Sequence, residues 1–442
     1  MEGLIIALLW LLAGLLSVMM IAQGMSRRVD LFSVRNIYLA GFIVYQVVSP
    51  VTALSSGNFF GFRIVDPVAS AKWFLIFAYV YIAIYLLSYH WIPFTRWLAS
   101  KFPGGNAEAS DSMLTGLAIS LIVASLVARV VGLQVPLLRG LSINVSVAFA
   151  AAACAITGWI WGHRRLNPAV LLVVAFVVSI SMVIAMTGFY SRRPLISVLA
   201  GFAWGAYYRW ARNLTPSRLL FATVPLIIGA ALVVSAFTAV RWQMFQGGEG
   251  RITFTQMRGA NIGQGSSDLV SGQSTGAIGF WVMEKYPAEI DYQPLFSLRY
   301  MAYYFIPRML WEEKPNSLSN DVATLARLRG VNRKLITLPP GVIGYAGAEG
   351  GFYAIVIYAL FFGQFTRFFD ELIRLNPTNP FIILSVGCTT GQFLGLARGD
   401  MSIFANLAII GFISTYLILY VTSLAFGRSR TAPAATPWPQ MR

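Results

Sequence analysis

Runs of about twenty apolar residues recur along this chain, the first reading IIALLWLLAGLLSVMMIA, and such runs leave few folds open. A segment of that length matches the ~30 Å hydrocarbon core of a bilayer at 1.5 Å per residue. In lipid every backbone N–H and C=O must be paired inside the protein, so only helices and closed barrels span it. Barrel strands would be about half this length, which leaves helices. Composition agrees: 11% of the residues are charged and 57% are hydrophobic, against roughly 25% charged in a soluble domain, so too few remain to cover a water-facing surface. The expected fold is an all-α polytopic membrane protein.

About eleven spans are expected, over residues 4–23, 37–55, 73–93, 112–133, 143–162, 169–188, 195–210, 219–240, 345–366, 379–397 and 402–425. Short cytoplasmic connections carry the excess of Lys and Arg in such proteins. With the N-terminus outside, the inner segments hold fifteen basic residues, among them Arg27, Arg28, Arg35, Arg164, Arg165, Arg209, Arg212, Arg367 and Arg374. The short outer segments hold six: Arg63, Lys72, Arg139, Arg192, Arg193 and Arg398. The chain is therefore expected to sit in the inner (plasma) membrane, multi-pass, N-terminus outside and C-terminus cytoplasmic. Three parts follow: a bundle of about eight spans over 1–240, a long extracytoplasmic loop over 241–344, and about three spans with a short cytoplasmic tail over 345–442.

The formal net charge of +16 arises mainly from these inner segments. It is a topological surplus with attraction to anionic lipid headgroups, rather than the clustered basic surface a nucleic acid requires. Cys154 and Cys388 lie inside apolar blocks and give neither a disulfide framework nor a metal spacing. His90 and His163 are too far apart in sequence to suggest a His/Cys metal centre. No metal site and no cofactor are expected, although Mg²⁺ shared between carboxylates and a diphosphate would leave no sequence signature. The first span begins almost at Met1 without a basic leader, so no cleavable signal peptide is expected.

The long loop has its own texture. QGGEGRITFTQMRGANIGQGSSDLVSGQSTG is rich in Gly, Ser and Gln and reads as irregular. FWVMEKYPAEIDYQPLFSLRYMAYYFIPRMLW is dense in aromatics, which favour the membrane interface, so short interfacial helices against the outer leaflet are expected. EEKPNSLSNDVATLARLRG then reads as a capped amphipathic helix. No internal repeat suggests the inverted symmetry of a transporter.

Cations at the outer face are the informative residues, because insertion disfavours them there. Arg192 and Arg193 stand together in GFYSRRPLI, Arg241 opens the loop, Arg308 lies in YFIPRMLWEEKP, and Arg398 with Asp400 forms the turn LARGDMS. Guanidinium stays charged and pairs bidentately with phosphate oxygens, so five such arginines converging above one cavity would suit a diphosphate from the outer leaflet. The alternative for each is to snorkel to lipid headgroups. The Arg192–Arg193 pair argues more strongly for an anion, since adjacent like charges repel without one. Arg129, inside a span, either pairs with an internal acid or snorkels.

Among the acids, Glu349 stands out, in LPPGVIGYAGAEGGFYAIVIY at a membrane boundary. It is a candidate to accept a proton from a sugar hydroxyl; the alternative is a Glu–Arg pair fastening the loop to the bundle. Glu284, Asp291, Glu312, Glu313 and Asp400 are lesser candidates for the same role.

The many spans, the large loop before the last few, and the strings IPRMLWEEKP, YSRRPLI, GYAGAEGGF and the late RGD turn resemble the O-antigen and exopolysaccharide repeat-unit polymerases of the Wzy type. The likeness covers mainly Gly188 to Asn406. It implies a membrane glycosyltransferase that polymerises undecaprenyl-diphosphate-linked oligosaccharides at the outer face of the inner membrane, with no nucleotide sugar. A chain-length regulator and a flippase are the protein partners that this implies. On this reading Glu349, Arg192 and Arg308 are the catalytic candidates. Arg193, Arg241, Arg398, Asp400, Tyr304 and Trp311 are the substrate-binding candidates, the arginines as a diphosphate clamp and the aromatics as stacking surfaces or interface anchors. Competing readings are an O-antigen ligase-like transferase, a transporter of polysaccharide or lipid-linked oligosaccharide, and a non-catalytic scaffold.

Overall fold

The computed structural model describes residues 1–26, 29–104, 109–135, 139–186, 192–247, 274–328 and 337–426, with Asn261, Gly263 and Gly265. All regular structure among them is helical. Nine of these helices are long and apolar enough to cross a membrane. They are α1 (Glu2–Met25), α2 (Val34–Ser56), α3 (Pro67–Trp91), α5 (Asp111–Val130), α6 (Arg139–His163), α7 (Pro168–Met186), α9 (Pro216–Gly247), α14 (Phe352–Leu375) and α17 (Met401–Phe426). A short helix α4 (Phe94–Ser100) follows α3.

The other two apolar segments are helical in a different manner. The first is α8 (Arg193–Arg209), only 17 residues long. The second divides into α15 (Pro380–Gly387) and α16 (Thr390–Leu396) at Cys388–Thr389. At the break Thr389 Oγ1 donates to the Val386 carbonyl at 2.7 Å and Thr390 Oγ1 to the Gly387 carbonyl at 2.9 Å. Hydroxyls thus engage carbonyls at the interruption, as an interrupted helix in an apolar surrounding requires.

Small residues allow the closest packing. On α6 the run Ala151, Ala155 and Gly158 meets Gly201, Phe202 and Gly205 of α8, and a Cβ on Gly205 would lie 1.9 Å from the Ala155 carbonyl oxygen. Where lipid supplies no hydrophobic drive between helices, such contact is what holds them together. Larger side chains fill the seam of α3 and α14: Tyr85 donates to or accepts from Thr366 at 2.8 Å, and Ser88 Oγ donates to the Leu360 carbonyl at 2.8 Å.

Between α9 and α14 come α10 (Thr275–Lys285), α11 (Phe296–Tyr303), α12 (Leu318–Leu325) and α13 (Gly341–Glu349). The aromatic stretch expected at the interface divides. Phe280, Trp281 and Val282 of α10 are buried, packed with α13 against α2 and α3, because Gly276 and Gly279 admit the Pro50 backbone and the Phe74 ring. Phe305, Met309 and Leu310 remain exposed. The helix expected after EEKP is α12; Ser317 stands at its N-cap position but makes no capping hydrogen bond, its hydroxyl pairing with that of Ser319 at 2.9 Å. Most of the Gly/Ser/Gln-rich stretch lies outside the described residues. Glu349 ends α13, and Gly350 and Gly351, both at positive φ, separate it from α14, so the span begins at Phe352 rather than near residue 345.

The bundle has two polar ends. One holds Asp30, Arg35, His90, Arg367, Asp370 and Arg374; the other holds Arg192, Arg193, Arg398, Asp400 and, at the loop helices, Glu349.

Candidate functional site

A narrow cavity of about 30 Å³ opens at the second end, lined by Tyr45, Arg192, Arg193, Ile196, Gly391, Leu394, Gly395, Arg398 and Phe404. Two segments some two hundred positions apart in sequence supply its charge. Arg192 and Arg193 begin α8, where Pro194 in the first turn has the fixed φ and missing N–H suited to a helix start. Arg398 follows α16 in a tight turn in which the Arg398 and Gly399 amides both donate to the Gly395 carbonyl, at 3.0 and 2.9 Å. Gly391 lets α16 lie against Ser197 of α8, and Gly41 lets it lie against α2, where a Cβ would meet the Leu394 carbonyl oxygen at 2.1 Å. These contacts bring the two arginine segments to one place.

Aromatic rings flank the guanidinium groups. Arg193 lies 4.3 Å from the centroid of Phe404 and Arg398 lies 5.6 Å from that of Tyr45. Stacking of this kind holds the plane of a guanidinium in place. Among the described residues the Arg398 Nε is buried with no hydrogen-bond partner, and Arg398 has no carboxylate at ion-pair distance.

Asp400 is the acid whose charge Arg193 senses, alongside the like charge of Arg398. It is itself engaged: Ser402 Oγ donates to Oδ1, the Ile403 amide donates to Oδ1 at 3.3 Å, and Ser319 Oγ to Oδ2 at 3.4 Å. Asp400 thus caps α17 and balances only part of the charge. Three guanidiniums thus line one cavity, with one hydrogen-bonded carboxylate beside them.

Of the other residues singled out from sequence, none lines this cavity. Arg308 is exposed and donates to Asn316 Oδ1 at 2.6 Å, and Asn316 in turn donates to Asp321 Oδ1 at 3.3 Å. Tyr304 and Trp311 belong to a knot around the buried Lys314, whose ammonium donates to the carbonyls of Tyr304 and Ile306 at 3.0 and 2.9 Å. Trp311 packs edge-on to Tyr303 there. Asn406 of α17 donates to the Met301 carbonyl at 3.0 Å and ties α11 down beside the cavity end. The side chain of Arg241 lies outside the described residues. Arg129 is buried and has no acid at ion-pair distance among the described residues.

Glu349 is 1% exposed. Its Oε2 accepts from the Ser297 amide at 2.7 Å and from the Tyr358 hydroxyl, and its Oε1 accepts from Ser297 Oγ at 2.6 Å. Burial pushes this carboxyl, which precedes the span, up to about 7, against the hydrogen bonds from Ser297 and Tyr358 that pull it down. It therefore fastens α11 of the loop to the bundle, through a serine and a tyrosine rather than an arginine. Among the described residues no group of three or more His, Cys, Asp or Glu is placed to hold a metal ion.

Tyr45, Phe404 and the Gly391–Gly395 pair were not legible as site residues. The glycines at i, i+4 in GQFLGLARG do signal a close helix approach, but nothing in the sequence marks Tyr45. Comparison with known protein families, with curated proteins and with solved structures finds no match to this chain, so the reading of the site rests on its geometry.

Proposed function

We propose that the chain is a membrane glycosyltransferase that polymerises undecaprenyl-diphosphate-linked oligosaccharide repeat units, and that the arginine cavity holds the diphosphate of the donor. One observation carries this reading: the adjacent Arg192 and Arg193 and the sequence-distant Arg398 line a single cavity with one hydrogen-bonded carboxylate beside them. A glycosyl transfer from a lipid diphosphate leaves that diphosphate with more charge than it began with. Fixed guanidinium donors aimed at it stabilise the transition state more than the ground state.

The proposed topology is eleven crossings with the N-terminus outside, α8 and the α15–α16 pair serving as the two short crossings. This arrangement puts the arginine cavity at the outer face and fifteen basic residues inside, as the distribution of Lys and Arg favours. The exposed Phe305, Met309 and Leu310 near Arg308 then meet the outer leaflet. In this reading Arg192, Arg193 and Arg398 form the clamp. Glu349 holds the loop helix in place, and Arg308 orders the loop beyond it.

The test is glycan profiling of a strain lacking the gene, complemented at matched expression with wild type, Arg192→Ala or Arg398→Ala. Single lipid-linked repeats in the deletion, with polymer restored by wild type and by neither variant, is the expected result. Long polymer that accumulates unattached to its final acceptor would mean a ligase instead. An unchanged glycan profile overturns the assignment.

A further inference from the structure

We propose that Gln46 is a positioning residue for Arg398, acting through the backbone carbonyl of Ala397. The inference rests on the reading of the cavity as an anion site but concerns a residue that does not line it.

Helix α2 is not regular throughout: residues Ile43–Val48 form a π-helical turn. A widened turn inside an α-helix is unfavourable in itself and is retained mostly where it re-aims side chains at a functional site. Here it carries two neighbours with different tasks. Tyr45 lines the cavity under Arg398. Gln46 is fully buried, and its Nε2 donates to the Ala397 carbonyl at 2.6 Å.

That carbonyl is a junction. It also accepts from the Val342 amide in the first turn of α13, at 3.1 Å. The π turn, the start of α13 and the end of α16 therefore meet one peptide before Arg398. Room for the amide group is provided by Gly341 (φ +73°): a Cβ there would stand 2.0 Å from Gln46 Nε2.

The orientation of the amide is determined, because a flipped group would set two acceptors face to face. As a result Oε1 is buried with no hydrogen-bond partner among the described residues. An unmet acceptor in an apolar interior is unfavourable, and an apolar side chain of the same shape would avoid it. A residue selected for packing alone would be such a side chain. The glutamine supplies a donor to the peptide that sets where the Arg398 guanidinium lies, against the Tyr45 ring on the same turn.

The experiment uses the full chain in lipid nanodiscs, with undecaprenyl diphosphate as the probe, and compares wild type, Gln46→Met, Arg398→Ala and the double variant. Gln46→Met keeps the volume and removes the donor, so its melting midpoint stays at or above that of wild type. We expect its affinity for the probe to fall about tenfold, and to fall no further when Arg398 is already alanine, as two residues acting on one interaction require. Equal weakening in both backgrounds, or wild-type affinity in Gln46→Met, overturns the proposal. Amide hydrogen exchange over residues 391–400 supplies the second readout. Faster exchange confined to that segment in Gln46→Met supports the positioning role, and wild-type exchange refutes it. If wild type itself does not bind the probe, the diphosphate reading of the cavity fails, while the exchange arm still decides whether Gln46 holds the Arg398 turn.

Discussion

The two polar ends of the bundle use arginine in opposite ways. At one end Arg35 is fully buried and its guanidinium is satisfied by the protein itself. It donates to Gln23 Oε1 at 2.6 Å and to Asn36 Oδ1 at 2.9 Å, lies 3.4 Å from His90 Nε2, and stacks over Tyr89. Asp370 sits beside it and accepts from the Val34 and Arg35 amides at 2.7 and 3.0 Å and from Tyr89 at 2.8 Å, closing the start of α2. At the other end Arg398 stacks on Tyr45 without a carboxylate partner among the described residues, at the wall of a cavity. The same residue type is structural where its donors are consumed internally and available for a ligand where they are not. The distinction follows from hydrogen-bond accounting, not from burial.

The comparison can be broken most directly at the closed end. Asp370→Ala leaves the first two amides of α2 and the Tyr89 hydroxyl without their acceptor, beside a buried cation. A buried donor left without its acceptor costs about 1–3 kcal/mol, and here three lose theirs together. The variant is expected to melt far below wild type in thermal unfolding of the detergent-solubilised protein. A melting midpoint close to wild type would mean that this end is not the closed structural knot described here.

At the open end the expected effects are reversed. Arg398→Ala removes a like charge from beside Arg193, so the protein melts at or above the wild-type midpoint. Loss of one fixed donor to a developing anion typically lowers turnover by about 10²–10³; under the proposed function, transfer from a lipid-diphosphate donor falls by that much. If Arg398→Ala instead melted as early as Asp370→Ala, the two ends would not differ in kind.

Glu349 sharpens the comparison from between the two. Its folded-state pKa of about 7 lies above the ordinary 4.5. Its stabilising contribution is thus full below pH 4.5 and is lost as the pH rises through 7. Wild type should therefore lose on the order of 2 kcal/mol between pH 5 and pH 8 through this group, and Glu349→Gln should flatten that part of the melting profile. A fastening role predicts that Glu349→Gln keeps transfer within about tenfold of wild type, whereas loss of a general base lowers it by about 10²–10⁴. A loss of that size would return Glu349 to the chemistry.

How far the molecule is legible in sequence differs between these same regions. Of the eleven spans that hydropathy suggests, nine are long apolar helices among the described residues, and Arg192 with Arg193 stands out in the sequence as an adjacent pair of cations. The break at Cys388–Thr389 was not visible, because hydropathy averages over a window and the Thr hydroxyls that serve the break are not distinctive in apolar surroundings. Arg308, Tyr304 and Trp311 carry the composition of a binding surface, yet they serve the internal order of the loop around Lys314 and Asn316. Arg35 looked like one more inner-face cation; only its contacts reveal a closed network.

The sequence by itself determined that this is a helical membrane protein, because backbone groups in lipid have no partners but one another and the apolar runs have the length of a bilayer. It also determined the asymmetry of Lys and Arg along the chain. Which arginines share a cavity was decided by the tertiary structure alone. Glycines on α2 and α16 let helices distant in sequence touch, and that contact, not any property of Arg192 or Arg398 taken singly, places their charges around a common space.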